Sequence, residues 1–168
     1  MAGTWAVPPL LGPFFLVHYL RMVRVFRAMR EGRGVIASWS VPAREFARFC
    51  EREQAIPARS ILVNYYKPPA ATPAEGVEVV FSDRGVLIGG GYFPLSVRGG
   101  RRVQSVEHVA GDPPAIQFGM GLHTSARTSS ATVEGQHRLL LLRVPVALSA
   151  RGQASEVADR FRALMNRA

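Results

Sequence analysis

The first twenty residues of the chain carry no Asp, Glu, Lys or Arg, and the fourteen that follow carry five arginines against one glutamate. An uncharged start that ends in a cationic collar must bury its apolar side chains in lipid, in its own domain or in a partner. The stretch Trp5 to Leu20 reads WAVPPLLGPFFLVHYL. As a helix it would span about 24 Å, short of the ~30 Å hydrocarbon core of a bilayer. Pro8, Pro9 and Pro13 oppose a regular helix before about residue 12, whereas Pro13 suits a first helical turn. From there to about Arg30 no breaker intervenes. Phe15, Tyr19, Met22, Val23, Phe26 and Met29 recur at spacings of three and four, which predicts an amphipathic helix.

Three readings of this segment stand beside one another. A cleaved signal peptide lacks support, because no basic stretch precedes the apolar run and no small-residue cleavage site precedes the arginines. A membrane anchor, spanning or lying in the interface, would use Trp5, Phe14, Phe15 and Tyr19 as lipid and boundary contacts. Arg21, Arg24, Arg27 and Arg30 would then meet the headgroups. Basic residues on that side place the remainder of the chain at the cytoplasmic face of the cytoplasmic membrane. The third reading is an ordinary helix packed on the domain or on a partner. The four arginines are three apart, so each lies about 60° behind the last. They wind around the helix, which suits emergence into an anionic layer better than a nucleic-acid groove.

Total charge says less than its placement. Lys+Arg is 21 against Asp+Glu 12, net +9, and Lys67 is the only lysine. The excess raises nucleic-acid binding as an alternative, but aromatic residues do not interleave the basic clusters as stacking surfaces require. Apolar residues make up 48% of the chain, enough for a core and too much for a disordered tail. A single cysteine, Cys50, excludes an internal disulfide framework and multi-cysteine zinc sites.

Beyond Gly34 the pattern is strand-rich, dividing the chain into an anchoring or interfacial helix (residues 1–33) and a β domain (residues 34–168). A strand is predicted at Val35–Trp39, then a short helix from Pro42 to about Glu53, with Ser40 as its cap and Phe46, Phe49 and Cys50 inward. A strand at Ile61–Tyr66 precedes an exposed loop, residues 67–76. Val77–Ser82 alternates, Asp83–Gly85 turns, and Val86–Ile88 resumes. Gly89–Gly91 reads as a bulge or sharp bend, and Arg98–Arg102 as a basic turn. Strands follow at Val103–Val109, Ala115–Leu122 and Arg138–Val146, the last almost continuously apolar, with residues 124–132 as loop or edge strand between them. A helix capped by Ser155 closes the chain, with Val157, Phe161, Leu164 and Met165 on its inner face. The expected class is α+β: a strongly bent antiparallel sheet or barrel plugged by that helix.

These features together resemble bacterial membrane-anchored proteins with a pleckstrin-homology-like domain. The carrying residues are the apolar segment with its basic collar, Gly34–Trp39 with the Pro42–Phe49 helix, the tract VEVVFSDRGVLIGGGYFPL from Val77 to Leu95, and the strand ending Arg143–Val146 before the last helix. The resemblance implies a strongly bent barrel of about seven strands closed by the helix Ser155–Asn166 and does not imply catalysis; no cofactor is expected. Relatives that bind phosphoinositides use Lys and Arg in the first hairpin loop. The corresponding loop here, Lys67–Gly76, holds one lysine, so headgroup recognition is not implied.

Catalytic and metal chemistry finds no motif. His18, His108, His123 and His137 are scattered, and Glu134 with His137 is an isolated pair. Cys50 falls on the apolar face of a short helix, the place of a buried inert thiol. Asp83 and Asp112 fall in turns, where carboxylates bond local backbone. Glu107 and His108 are neighbours on a strand and so point to opposite faces. Gly89–Gly91 and Gly119–Gly121 lack the Gly-Lys-Ser/Thr ending of a phosphate loop. The expectation is therefore a non-enzymatic domain at the cytoplasmic membrane face that docks an unknown protein or lipid partner. A small-ligand barrel or an enzyme with dispersed residues remains an alternative.

Overall fold

A computed structural model describes residues 20, 23–56, 64–99, 101–122 and 139–168. The chain divides into two compact units, Met1–Gly34 and Val35–Ala168. In the first, residues 23–30 are helical (α1) and a turn at residues 31–34 ends the helix, with Gly32 at φ 74°. That positive φ is the usual way a helix terminates. No helix among the described residues is long and apolar enough to cross a membrane. The expected helix start near Pro13 lies outside the described residues.

In the second unit, β1 (Val35–Val41) is followed by α2 (Ala43–Gln54), and then β2 (Val77–Ser82), β3 (Gly85–Ile88) and β4 (Gly91–Pro94). These four strands form one antiparallel sheet in chain order. β5 (Arg101–Val109), β6 (Ala115–Leu122) and β7 (Leu139–Pro145) form a second, followed by α3 (Arg151–Met165). The class is α+β with antiparallel sheets and a closing helix. The single strongly bent sheet or closed barrel is corrected: two separate sheets stand in its place, with no ladder joining them among the described residues.

β1 forms because its residues alternate. Ala37, Trp39 and Val41 are buried while Ser38 and Ser40 face solvent. β2 starts the same way, with Val77 and Val79 in and Glu78 out, but Val80 and Ser82 are buried too. The Ser82 hydroxyl offsets its burial by donating to the Gly85 carbonyl at 3.2 Å. The sheets are tied by one aromatic chain. Trp39 meets Phe81 at 5.3 Å, Phe81 meets Phe118 of β6 at 6.0 Å, and Phe118 meets Phe161 of α3 edge-on at 5.2 Å. The Trp39 indole N–H donates to the Pro145 carbonyl at 3.0 Å, so its polar end is satisfied in the core. Each of these buried aromatics contributes about 1.5–3 kcal/mol by leaving water.

α2 lays Phe46, Phe49 and Cys50 inward, as its apolar spacing requires. Its N-cap is Pro42 and not Ser40, and no side chain caps it. α3 begins earlier than Ser155, which lies exposed inside the helix. A 3₁₀ turn, Leu148–Ala150, leads into α3, and the Glu45 carboxylate of α2 accepts the Leu148 N–H at 3.0 Å. The cap thus comes from another element, and a carboxylate there also suits the helix dipole. Ala154, Val157, Ala158 and Phe161 form the buried face, with Leu164 and Met165 half-buried, and the helix packs on β5 and β1.

The turns differ from expectation in two places. Gly89–Gly90 is the turn of a β3–β4 hairpin, with Gly89 at φ 61°, and not a bulge inside one strand. Arg101 and Arg102 are the first residues of β5 and not part of a turn. Of the expected strand at Ile61–Tyr66, residues 61–63 lie outside the described residues, and Asn64 makes a single parallel bridge to Leu141. Gly76 closes the irregular stretch 67–76 at φ 82°, where a Cβ would sit 2.2 Å from the Val41 carbonyl.

Candidate functional site

The residues expected to meet lipid fall into two groups. Trp5, Phe14, Phe15, Tyr19 and Arg21 lie outside the described residues. Arg24, Arg27 and Arg30 lie on α1, all exposed to solvent. The Arg30 guanidinium sits 4.9 Å from the Phe26 ring centroid, a cation–π contact that holds the charge beside an apolar side chain. Leu20 and Val23 are 44% and 36% exposed, and both are large hydrophobics. Arg33 pairs with Glu31 in the turn that follows. α1 therefore presents three arginines and an exposed valine on a half-apolar helix, with no acidic residue among its own positions.

The β unit contains a polar cluster that the sequence pattern did not reveal. Arg143 is buried in the middle of β7. Its Nε donates to Gln117 Oε1 at 2.8 Å and its Nη1 to Glu53 Oε2 at 3.2 Å. The Glu53 side chain is only 4% exposed. Asn64 adds backbone pairing: its Oδ1 accepts the Arg143 N–H at 2.9 Å and the Tyr66 N–H at 3.1 Å, and its Nδ2 donates to the Arg143 carbonyl at 3.2 Å. One side chain thus extends the edge of β7. A cleft of about 130 Å³ lies alongside, lined by Glu53, Gln54, Asn64, Tyr66, Lys67 and Pro68. Burial pushes the Tyr66 phenol up to about 12, so it stays protonated at neutral pH. The cluster joins α2, β6 and β7 through side-chain bonds.

The candidate reactive residues resolve individually. Cys50 is buried on α2, and burial raises its thiol above the usual range, so it is a poor nucleophile. Asp83 does not serve its own turn. Its two carboxylate oxygens accept from Arg160 Nε and Nη2 of α3, both at 2.9 Å. The hydrogen bond from Arg160 holds the Asp83 carboxyl below its ordinary value. Asp112 pairs with Arg48 of α2, while Arg52 donates to the Pro113 carbonyl at 2.9 Å, so α2 straps the turn before β6. Glu107 and His108 are both exposed on β5, so their opposed directions bury neither, and Glu107 is 3.5 Å from Gln117 Nε2. Gly119 and Gly121 lie inside β6, paired with β5 and β7, and form no loop. His18, His123, Glu134 and His137 lie outside the described residues. Among the described residues, no group of three or more His, Cys, Asp and Glu could hold a metal ion.

Comparison with protein-family models, curated proteins and solved structures returned no match to this chain.

Proposed function

We propose that this chain is a non-enzymatic, membrane-associated interaction domain. Residues 1–33 attach it to the cytoplasmic membrane surface, and the β unit faces the cytoplasm and docks a protein or lipid partner. The observation that carries the reading is α1: Arg24, Arg27 and Arg30 exposed beside exposed Val23, directly after a charge-free stretch of sequence. Each arginine near an anionic leaflet contributes about 1 kcal/mol, and apolar side chains entering the headgroup boundary add to it. For the body we propose a pleckstrin-homology-like domain. Seven described strands, an early helix after the first strand and a closing helix support this reading of the body. The ion pairs Asp83–Arg160 and Glu53–Arg143 join separate elements, a structural use of residues that a catalytic reading would need elsewhere.

The test is cosedimentation of the full chain with vesicles of neutral and of anionic phospholipid. The reading expects binding to anionic vesicles that weakens as salt rises and falls further in an Arg24→Gln, Arg27→Gln, Arg30→Gln variant. Equal recovery in the supernatant with both vesicle types would refute it. Binding to duplex DNA with a steep salt slope, and none to vesicles, would favour the nucleic-acid alternative.

A further inference from the structure

Among the described residues, three buried side-chain nitrogens have no hydrogen-bond partner, and two of them, Nε and Nη2, belong to Arg101 at the start of β5. The third is Arg52 Nη2, whose neighbour Nη1 donates to the Pro113 carbonyl. Nε and Nη2 form the side-on fork of a guanidinium, the pair of donors that takes two oxygens of one oxyanion. Arg160 shows that use in this protein: its Nε and Nη2 each donate to an Asp83 oxygen at 2.9 Å. A buried fork without an acceptor is unfavourable, because its N–H groups have left water and gained no bond.

Aromatic side chains lie against this fork. The Arg101 guanidinium carbon is 4.5 Å from the Tyr65 ring centroid, and Phe93 of β4 meets Tyr65 edge-on at 5.8 Å. Arg101 and Phe93 are half-buried, whereas Tyr65 is 43% exposed, so the cluster meets solvent at Tyr65. The Tyr65 N–H donates to the Leu141 carbonyl at 2.7 Å, which fixes its backbone and leaves the ring free to turn about its side-chain bonds. Three segments supply Tyr65, then Phe93 and Arg101, then Leu122, the ladder partner of Arg101. These segments, residues 54–74, 85–106 and 113–133, contain no Asp or Glu. Glu53, which lines the cleft beside Tyr66, is held by Arg143. Arg98, exposed in the turn before β5, adds positive charge.

We infer that the Arg101 fork binds the phosphate group of a monoester. The group enters where the Tyr65 ring swings aside, and two of its oxygens accept from Nε and Nη2. A carboxylate also matches the fork but carries one charge, where a phosphate monoester carries about two at neutral pH. Basic surroundings without a carboxylate favour the more highly charged anion. A small soluble monoester and a lipid with a terminal phosphate present the same oxygens. The site uses only residues of the β unit and stands independently of attachment by residues 1–33.

The test titrates the full chain at neutral pH with glycerol phosphate, acetate or butylammonium. Nitrogen-15 NMR follows the Arg101 Nε–H signal, identified by its loss in Arg101→Lys. Glycerol phosphate should move that signal saturably and bind about fivefold or more tightly than acetate, and butylammonium should leave it in place. Arg101→Lys keeps the charge and removes the fork, so calorimetry should show glycerol phosphate weakened about tenfold or more. Tyr65→Ala, a change at an exposed side chain, should bind at least as tightly as the parent. An unmoved Nε–H signal, equal affinity in Arg101→Lys, loss of binding in Tyr65→Ala, or acetate bound as tightly as glycerol phosphate would overturn the inference. Vesicles carrying phosphatidic acid, or phosphatidylglycerol at matched charge, separate the two sources. A preference for phosphatidic acid that disappears in Arg101→Lys assigns the lipid; glycerol phosphate binding without that preference assigns a soluble monoester. A chain that binds glycerol phosphate and sediments with neither vesicle keeps this site and refutes membrane attachment alone.

Discussion

Replacing Arg143 with Met tests whether the buried polar cluster holds α2 to the second sheet. The guanidinium is 11% exposed and its Glu53 partner 4%, so both charges are largely out of water. Removing one partner of such a pair leaves the other charge uncompensated, which costs about 3–5 kcal/mol. The residual exposure of Arg143 places the expected loss near the low end, about 3 kcal/mol. For a domain of this size that lowers the melting temperature by roughly 6–12 °C. Asn64 bonds only the backbone of Arg143, so the residue 64–66 segment keeps its attachment in the variant. Glu53→Met should cost less, about 2 kcal/mol, because Arg143 retains Gln117 as an acceptor. The double variant, with the ion pair replaced by apolar side chains of similar size, should lie within about 1 kcal/mol of the parent. Urea denaturation followed by fluorescence reads all three, since Trp39 is buried in the core and loses its bond to Pro145 on unfolding. Additive losses in the double variant, or an Arg143→Met change below about 0.5 kcal/mol, would refute the argument.

Phe161→Ala removes the aromatic that joins α3 to Phe118, and should cost about 3–5 kcal/mol in the same urea assay; a loss under about 1 kcal/mol would mean that α3 is not part of the core. Arg160 holds the Asp83 carboxyl below its ordinary 3.8, so the pair's contribution is complete at neutral pH and is lost as pH falls through the lowered value. Asp83→Asn should therefore lower stability at about pH 7 and make no difference near pH 2, as thermal melts across that range would read. Cys50 should react with a thiol reagent only at the rate of unfolding, so labelling should accelerate in urea in parallel with the Trp39 signal; fast labelling of the native chain contradicts its burial.

What was legible in the sequence was local. Ala115–Leu122 could be read to the residue because a turn with two prolines precedes an apolar run of strand length. The Val77–Ser82 hairpin announced itself by alternation and a polar turn. The inner face of α2 followed from the spacing of Phe46, Phe49 and Cys50. What failed depended on distant partners. Asp83 looked like a turn residue, yet its acceptors serve Arg160, 77 residues away. Ser155 looked like a cap, yet the start of the last helical run is capped by Glu45, 103 residues before Leu148. Arg143 reads only as part of an almost continuously apolar strand, and its partner Glu53 lies 90 residues earlier. No periodicity records such pairings, because each residue satisfies its local rule with either outcome. The division into two sheets was hidden for the same reason: strand patterns fix which residues point inward, not which strands share a ladder.

The central claim is that the arginine-collared N-terminal segment holds the chain at a bilayer. It is tested most directly by fractionating cells that express the full chain or a chain beginning at Gly34. The full chain should sit in the membrane pellet and be released by detergent, with the shortened chain in the supernatant. Recovery of both chains in the supernatant without detergent would contradict it.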